Sequence, residues 1–390
     1  MSDALRHEVE QWLDDNWDSK NCCAVGDESY NQTSWLTKVV DAGFATPTWP
    51  EKWYGRGLSS KEARVIEKAF QARGAKGWGR DRFHLGAITV YKLGSDVLKA
   101  ELLYELLTGP ICCLLYSEPG AGSDLAGIRM RAVKEGDEFV VNGQKVWTSN
   151  AEEAEYGMLL TRTDIDAPKH KGITFFIFPM KQDGVEVRPI NQITGESEFN
   201  EVFITDARVP ERFIIGEYNQ GWKSFQTAIA SERLIMGQGI TARLGAAARG
   251  KAPALLRLAD KHDKLNDPVM RQEVAQALAY RQLNALNMLR AKEEMMKNGA
   301  SSLASLGKLA MSRIQHGEAR ISAKILGPQV LIDTSEDSRN ANFDAAKAYM
   351  NSIGGGTDQI QKNIIAERVL GLPKSVDVSR GIPFKDIKSG

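Results

Sequence analysis

Glu232 sits in the run Ser231–Glu232–Arg233–Leu234, seven residues after Phe225, three after Ile229, three before Ile235 and four before Met236. On a helix this spacing puts the carboxylate on the apolar stripe, the face that is buried. Partial desolvation raises a carboxylate's pKa and makes it a better proton acceptor. An ion pair with a neighbouring arginine is the competing account, because a buried unpaired carboxylate is costly. A second chemical stretch is EPGAGSDLAG, Glu118–Gly127. Its glycines let the backbone approach a phosphate, to which the amides and the Ser123 hydroxyl can donate. It is not a GxGxxG fingerprint, since Leu125 stands where the third glycine belongs; alone, it reads equally well as a turn between domains. Three glycines, Gly354–Gly356, run into Thr357 at the start of an expected helix, where Thr357 or Asp358 suits the cap. Gly245–Lys251 has P-loop spacing, but Ala252 replaces the magnesium-binding hydroxyl and no strand precedes it, so that reading is rejected.

Three textures must position these residues. Residues 1 to 111 carry helical periodicity, as in SSKEARVIEKAFQARGAKG, where Ser59 or Ser60 can cap. Residues 112 to 216 read as strands: MRAVKEGDEFVVNGQKVWTSN holds two turn signals, Glu135–Gly136–Asp137 and Asn142–Gly143, and GITFFIFPM, GVEVRPI and NEVFITDARVP follow. Residues 217 to 390 return to helix, and Leu278, Leu283, Leu286 and Leu289 form a stripe expected to pack inside a bundle. The fold class is mainly α with a central β domain.

Bulk properties narrow the function. With 50 basic and 50 acidic residues the net charge is zero, which gives no reason to expect nucleic acid or an anionic membrane as partner. MSDALRHEVEQWLDD lacks a basic-then-apolar signal segment, and no apolar run approaches a membrane span. The four cysteines fall as adjacent pairs, Cys22–Cys23 and Cys112–Cys113, neither a disulfide framework nor a metal knuckle; a cytoplasmic protein is expected. The five histidines are scattered, so no metal site is expected.

YSEPGAGSDLAG followed by NGQKVWTSN resembles the acyl-CoA dehydrogenase family. GFATPTWPEKWYGRGLS, FNEVFITDARVPERFIIGEYNQGW and GGGTDQIQKNIIAERVLGLP extend the resemblance over roughly residues 41 to 373, in the family's order. It implies an N-terminal helical domain, a central β-barrel-like domain and a C-terminal four-helix bundle, with FAD between the last two. It also implies α,β-dehydrogenation of an acyl-CoA: a carboxylate removes the α-proton, the β-hydrogen leaves as hydride to the flavin, and an electron-transfer flavoprotein reoxidises it.

Residue by residue, the resemblance implies that Ser117 bonds the flavin's pyrimidine edge and that Gly122 and Ser123 meet the pyrophosphate. Trp147 would pack on the ring, and Ser149 would set a hydroxyl near N5. Without the resemblance, Trp147 reads as a core aromatic and Ser149 as a strand-end residue. Thr357 and Gln359 match cofactor-touching positions, while Ser123, Arg233 and Gly355 fall at the substrate end. Many family members carry the basic glutamate where Gly355 stands; other branches carry it in a Glu-Arg-Leu sequence at the start of the bundle. Glu232 is therefore the expected base.

Two departures concern assembly. His262–Asn266 replaces an Arg-x-x-Phe-Gly segment, and Gly327–Pro328–Gln329 replaces a Gly-Gly, both of which reach a neighbouring subunit's FAD in homotetramers. This pattern resembles bacterial enzymes of steroid side chains, some of them hetero-oligomers, and implies a branched, cyclic or bulky acyl-CoA as substrate. The competing expectations are a non-catalytic partner subunit and a flavin oxidase on the same scaffold. A homo- or hetero-oligomer is expected.

Overall fold

The computed structural model describes residues 2–77, 85–109, 112–229, 253–298, 301, 303–332, 334–376 and 379–387. The chain forms two compact units, residues 1–190, 197–235 and 379–390 in one and 191–196 and 236–378 in the other.

In the first unit five helices precede the sheet: α1 (Ser2–Asn16), α2 (Gln32–Asp41), α3 (Ser60–Arg73), α4 (Leu85–Leu93) and α5 (Asp96–Thr108). Their ends follow side-chain chemistry. Ser59 accepts from the Glu62 amide while Glu62 accepts from the Ser59 amide, a complete capping box, and Gly74 at φ 66° closes α3. The helices bury an aromatic cluster of Trp12, Trp17, Trp35, Phe44 and Phe70, and the Trp35 indole donates to the Lys76 carbonyl at 2.9 Å. Two short strands, β1 (Trp17–Asp18) and β2 (Cys23–Ala24), pair antiparallel beside them.

The expected β region is a seven-stranded sheet: β3 (Cys113–Leu115), β4 (Arg131–Glu135), β5 (Glu138–Ser149), β6 (Tyr156–Arg162), β7 (Ile173–Pro179), β8 (Val185–Ile190) and β9 (Phe199–Pro210). Its order is β3-β6-β4-β5-β9-β8, with β7 added on β6. Only one of the two expected turns exists. Gly136, at φ 67°, joins β4 to β5. Asn142–Gly143 instead lies inside the continuous β5 as a bulge against β9. The Asn142 amide is held by Asp206 in both directions, at 2.9 and 3.0 Å, and a Cβ on Gly143 would meet Met130 Cα at 3.0 Å. Cross-strand bonding and close packing thus override the local turn preference.

After β9 the chain enters a helical run, 221–229. Gly221 starts it flush on β7, where a Cβ would come within 2.6 Å of the Phe175 amide. Phe225 and Ala228 are buried and Ile229 packs on the same core, so the described half of the stripe leading to Glu232 faces inward as expected.

The second unit holds α6 (Ala254–Lys261), α7 (Pro268–Asn298), α8 (Leu303–Leu326), α9 (Gln329–Ile332), α10 (Glu336–Ile353) and α11 (Asp358–Ile364). Here the leucine expectation is corrected. Leu278 packs on the core, but Leu283, Leu286 and Leu289 are exposed; α7 buries Met270, Val274, Ala277, Ala285, Met288 and Ala291 instead. Among the described residues no helix is long and apolar enough to cross a membrane. All four cysteines are free, and burial pushes Cys112 well above its usual pKa and Cys113 up to about 12.

Candidate active site

The loop after β3 is fastened at its first residues. Glu118 and Ala121 exchange both backbone bonds, at 3.1 and 3.0 Å, folding Pro119–Gly120 into a tight turn. The Glu118 carboxylate points inward, where Oε1 accepts from Lys145 Nζ (2.8 Å) and the Met130 amide (3.0 Å), and Oε2 from the Arg129 amide (2.7 Å). Lys145 is wholly buried and also donates to the Tyr116 carbonyl at 3.0 Å. Burial lowers the pKa of its ammonium, against the pull of Glu118. A satisfied buried pair of this kind locks geometry, since either charge alone would be left desolvated.

The pair ties the loop to β5, and Val146 N donates to the Ser117 carbonyl at 2.9 Å beside it. Ser117 therefore lies next to Trp147. Gly122 and Ser123, further along the loop, are exposed, and a Cβ at Gly120 or Gly122 would meet nothing within 4 Å. This open, glycine-lined stretch with a free-facing hydroxyl fits an anion such as a phosphate.

Trp147 is no core aromatic. A second bulge, between Lys145 and Thr148, puts it at φ 61°, and its indole stands 59% exposed, edge-on to Phe199 at 6.1 Å. A bulky residue in left-handed backbone stores roughly 1–3 kcal/mol and is retained where the surroundings dictate it. An exposed, backbone-fixed indole is a flat wall for a planar ring. Ser149, half-buried, pairs with Phe199 at the end of β5.

In the second unit, Gly354 caps α10, and Gly355 and Gly356 take φ 66° and 92°. A Cβ at Gly355 would meet nothing within 4 Å, whereas one at Gly356 would crowd Gln361 at 2.8 Å. Gln361, buried, donates to the Gly355 carbonyl at 3.2 Å. The loop's backbone thus calls for glycine at both positions, and a glutamate at 355 would be strained. Thr357 caps α11 by accepting from Ile360 N at 3.2 Å, and Gln359 is exposed.

Glu232 and Arg233 lie outside the described residues, as does the rejected Gly245–Lys251 stretch. Of the remaining candidates, the first unit brings Ser117, Gly122, Ser123, Trp147 and Ser149 onto one loop and the strand beside it. The second gathers Gly355, Thr357 and Gln359 on one turn.

Sequence reasoning missed the Glu118–Lys145 pair, although both residues stand inside the quoted motifs. It also missed a hydroxyl chain in the second unit. His316 Nε2 meets Ser352 Oγ at 2.7 Å, Ser352 meets Ser312 at 2.8 Å, and Ser312 donates to Asp358 at 2.8 Å. The Ser352 hydroxyl also lies 3.2 Å from the Ala348 carbonyl, which accepts from it. The chain ties α8 and α10 to the start of α11. His262 is likewise engaged locally, with Nε2 2.9 Å from Asp337. No group of metal-ligating side chains occurs among the described residues.

Comparison with known proteins gives a consistent picture. The acyl-CoA dehydrogenase middle-domain model matches residues 113–207, and the acyl-CoA dehydrogenase C-terminal-domain model matches residues 219–370. The chain is 31% identical to the acyl-CoA dehydrogenase IpdE1 of Mycobacterium tuberculosis, covering 95% of this chain and 97% of that protein. It is 34% identical to the acyl-CoA dehydrogenase FadE34 of the same organism over 86% of its own length, but spans only 46% of that relative. Among solved structures, the Tcur3481-Tcur3483 steroid ACAD superposes with a TM-score of 0.72 at 26% identity, covering 96% of this chain and 98% of that one. The ChsE4-ChsE5 complex of Mycobacterium tuberculosis gives 0.66 at 25% identity, with the same two coverages.

Proposed function

The chain belongs to the acyl-CoA dehydrogenase family of FAD flavoproteins, and from that premise we propose that it dehydrogenates a branched, cyclic or steroid-side-chain acyl-CoA to the 2-enoyl thioester, with Glu232 as the base. The observation that carries this reading is the turn at Gly355–Gly356, whose positive-φ backbone and open space at Gly355 stand where many relatives carry the basic glutamate. The base must then come from elsewhere, and the vacated space suits a bulky acyl group. The similarity to the Tcur3481-Tcur3483 steroid ACAD supports that choice.

The described residues fit FAD, which supplies the hydride acceptor when bound. The loop amides and the Ser123 hydroxyl would hold its pyrophosphate, Ser117 its pyrimidine edge, and the Trp147 indole one face of the ring. Ser149, Thr357 and Gln359 complete the proposed cofactor contacts, and Arg233 serves the thioester end. Glu232 takes the α-proton at its carboxylate oxygen. An electron-transfer flavoprotein is the proposed electron acceptor, and a homo- or hetero-oligomer the proposed assembly.

Anaerobic bleaching of the bound flavin by a panel of acyl-CoAs tests the substrate class. Ring-bearing and branched thioesters are expected to reduce the flavin at least about tenfold faster than straight short-chain ones, a preference of about 1.4 kcal/mol. Reduction by straight short chains alone would overturn the bulky-substrate reading. A protein that binds flavin but is reduced by none would move the partner-subunit reading to the front.

Trp147→Gly separates ligand wall from scaffold. Relief of the φ 61° strain offsets the entropy that glycine adds to the unfolded chain, so apoprotein stability should change by no more than about 1 kcal/mol. FAD affinity should nevertheless fall about tenfold, measured by flavin fluorescence titration. Unchanged affinity would remove Trp147 from the flavin site.

A further inference from the structure

The first unit contains a buried charge that the proposed reaction does not use. Arg162, at the end of β6, is 2% exposed. Its Nη1 donates to the Lys169 and Lys171 carbonyls at 3.1 and 2.7 Å, and Nη2 to the Ala126 carbonyl at 2.7 Å, while Nε finds no partner among the described residues. No described carboxylate pairs with it; burial draws its pKa down to about 10, against the more distant charges of Glu118 and Asp164. It therefore stays charged at neutral pH, and a buried charge calls for a partner on its open face.

That face is covered by the far end of the chain. The Phe384 ring lies 3.8 Å from the Arg162 guanidinium and 5.2 Å from that of Arg129, and is itself 4% exposed. The segment is pinned on either side of the ring. Phe384 N donates to the Ala167 carbonyl and Lys385 N to the Ile165 carbonyl, both at 3.0 Å, and Lys385 Nζ pairs with Asp166 at 2.6 Å. Ala126, the carbonyl Arg162 holds, belongs to the 3-10 turn Leu125–Gly127 that ends the glycine loop, and Lys169 also pairs with Asp124 beside Ser123. Loop, sheet and C-terminal segment thus converge on one guanidinium.

We propose that the C-terminal segment 379–387 is a positioning element of the cofactor site: Phe384 seals Arg162, and Arg162 fixes the return of the 118–127 loop that faces the FAD pyrophosphate. The inference rests on the reading of that loop as a phosphate cradle. It predicts a defect confined to the phosphate end of the ligand, because Ser117 and Trp147 are held separately through Lys145 and Val146. A residue that merely maintained the fold would not discriminate between ligands.

Apoprotein is titrated with FAD and with riboflavin, which has the ring but no phosphate. Phe384→Ala is expected to weaken FAD by about tenfold and riboflavin by less than about twofold, and Phe384→Tyr, which keeps the ring face, to restore FAD affinity. Ser123→Ala reports on the loop itself. If Ser123→Ala weakens FAD and Phe384→Ala does not, the positioning role is overturned while the cradle stands. Equal weakening of both ligands by Phe384→Ala also overturns it. If Ser123→Ala leaves FAD binding intact, the cradle reading falls and the inference with it. Should Phe384→Ala fail to fold, Phe384→Leu keeps the burial without the ring and is expected to show the same selective loss.

Discussion

Glu232→Gln is expected to retain FAD yet slow flavin reduction by its acyl-CoA by about 10²- to 10⁴-fold, the range a positioned general base contributes. Glutamine keeps the size and hydrogen-bonding capacity of the side chain but cannot accept the α-proton. The case for this position is cumulative. The helical run 221–229 that precedes it buries Phe225 and Ala228, and the sequence spacing alone carries that apolar stripe on to position 232. The alternative position, 355, is a glycine at φ 66° in a turn whose geometry disfavours a side chain. Anaerobic stopped-flow absorbance decides it: reduction of the variant at the wild-type rate would remove Glu232 from the mechanism. Loss of bound FAD instead would make it a structural residue, as the ion-pair account holds.

The second large effect is structural. Lys145→Met should cost about 3–5 kcal/mol, because it leaves the Glu118 carboxylate buried beside two backbone amides without its cation. Adding Glu118→Gln to Lys145→Met removes the orphaned charge and should recover about 1–3 kcal/mol, the coupling typical of residues in one network. Chemical denaturation of the four apoproteins of this cycle measures both numbers. A single-variant loss below about 1 kcal/mol would show that the pair is not what holds the loop to β5. The same variant should bind flavin weakly even when folded, since the loop backbone at Ser117 would lose its clamp.

Legibility in the sequence followed the range of the interactions. The helical–β–helical order, the strands at Ile173–Pro179, Val185–Ile190 and Phe199–Pro210, and the caps at Ser59 and Thr357 depend on side chains within a few residues of the backbone they shape. Asn142–Gly143 failed because its competing partners, Asp206 and Met130, are remote or on the adjoining strand. The leucines of α7 failed because periodicity reports that a face is apolar, not which of two apolar rows meets the neighbouring helix.

What the sequence determined by itself was the family, the cofactor class and the loop, strand and turn on which the candidate contacts lie. The family and cofactor class rest on the resemblance those motifs carry, and the elements on local residue patterns, all of which survive without coordinates. The tertiary structure alone decided that Trp147 leaves the strand register and stands in the open, and that Lys145 is sunk against Glu118. It alone decided that Phe384 closes over Arg162 from the far end of the chain. The two buried contacts depend on which distant groups share a water-poor volume, and the Trp147 bulge on the register of β5 against β9. In both cases the cost of an unpaired charge or a strained backbone is set by neighbours that no local pattern names.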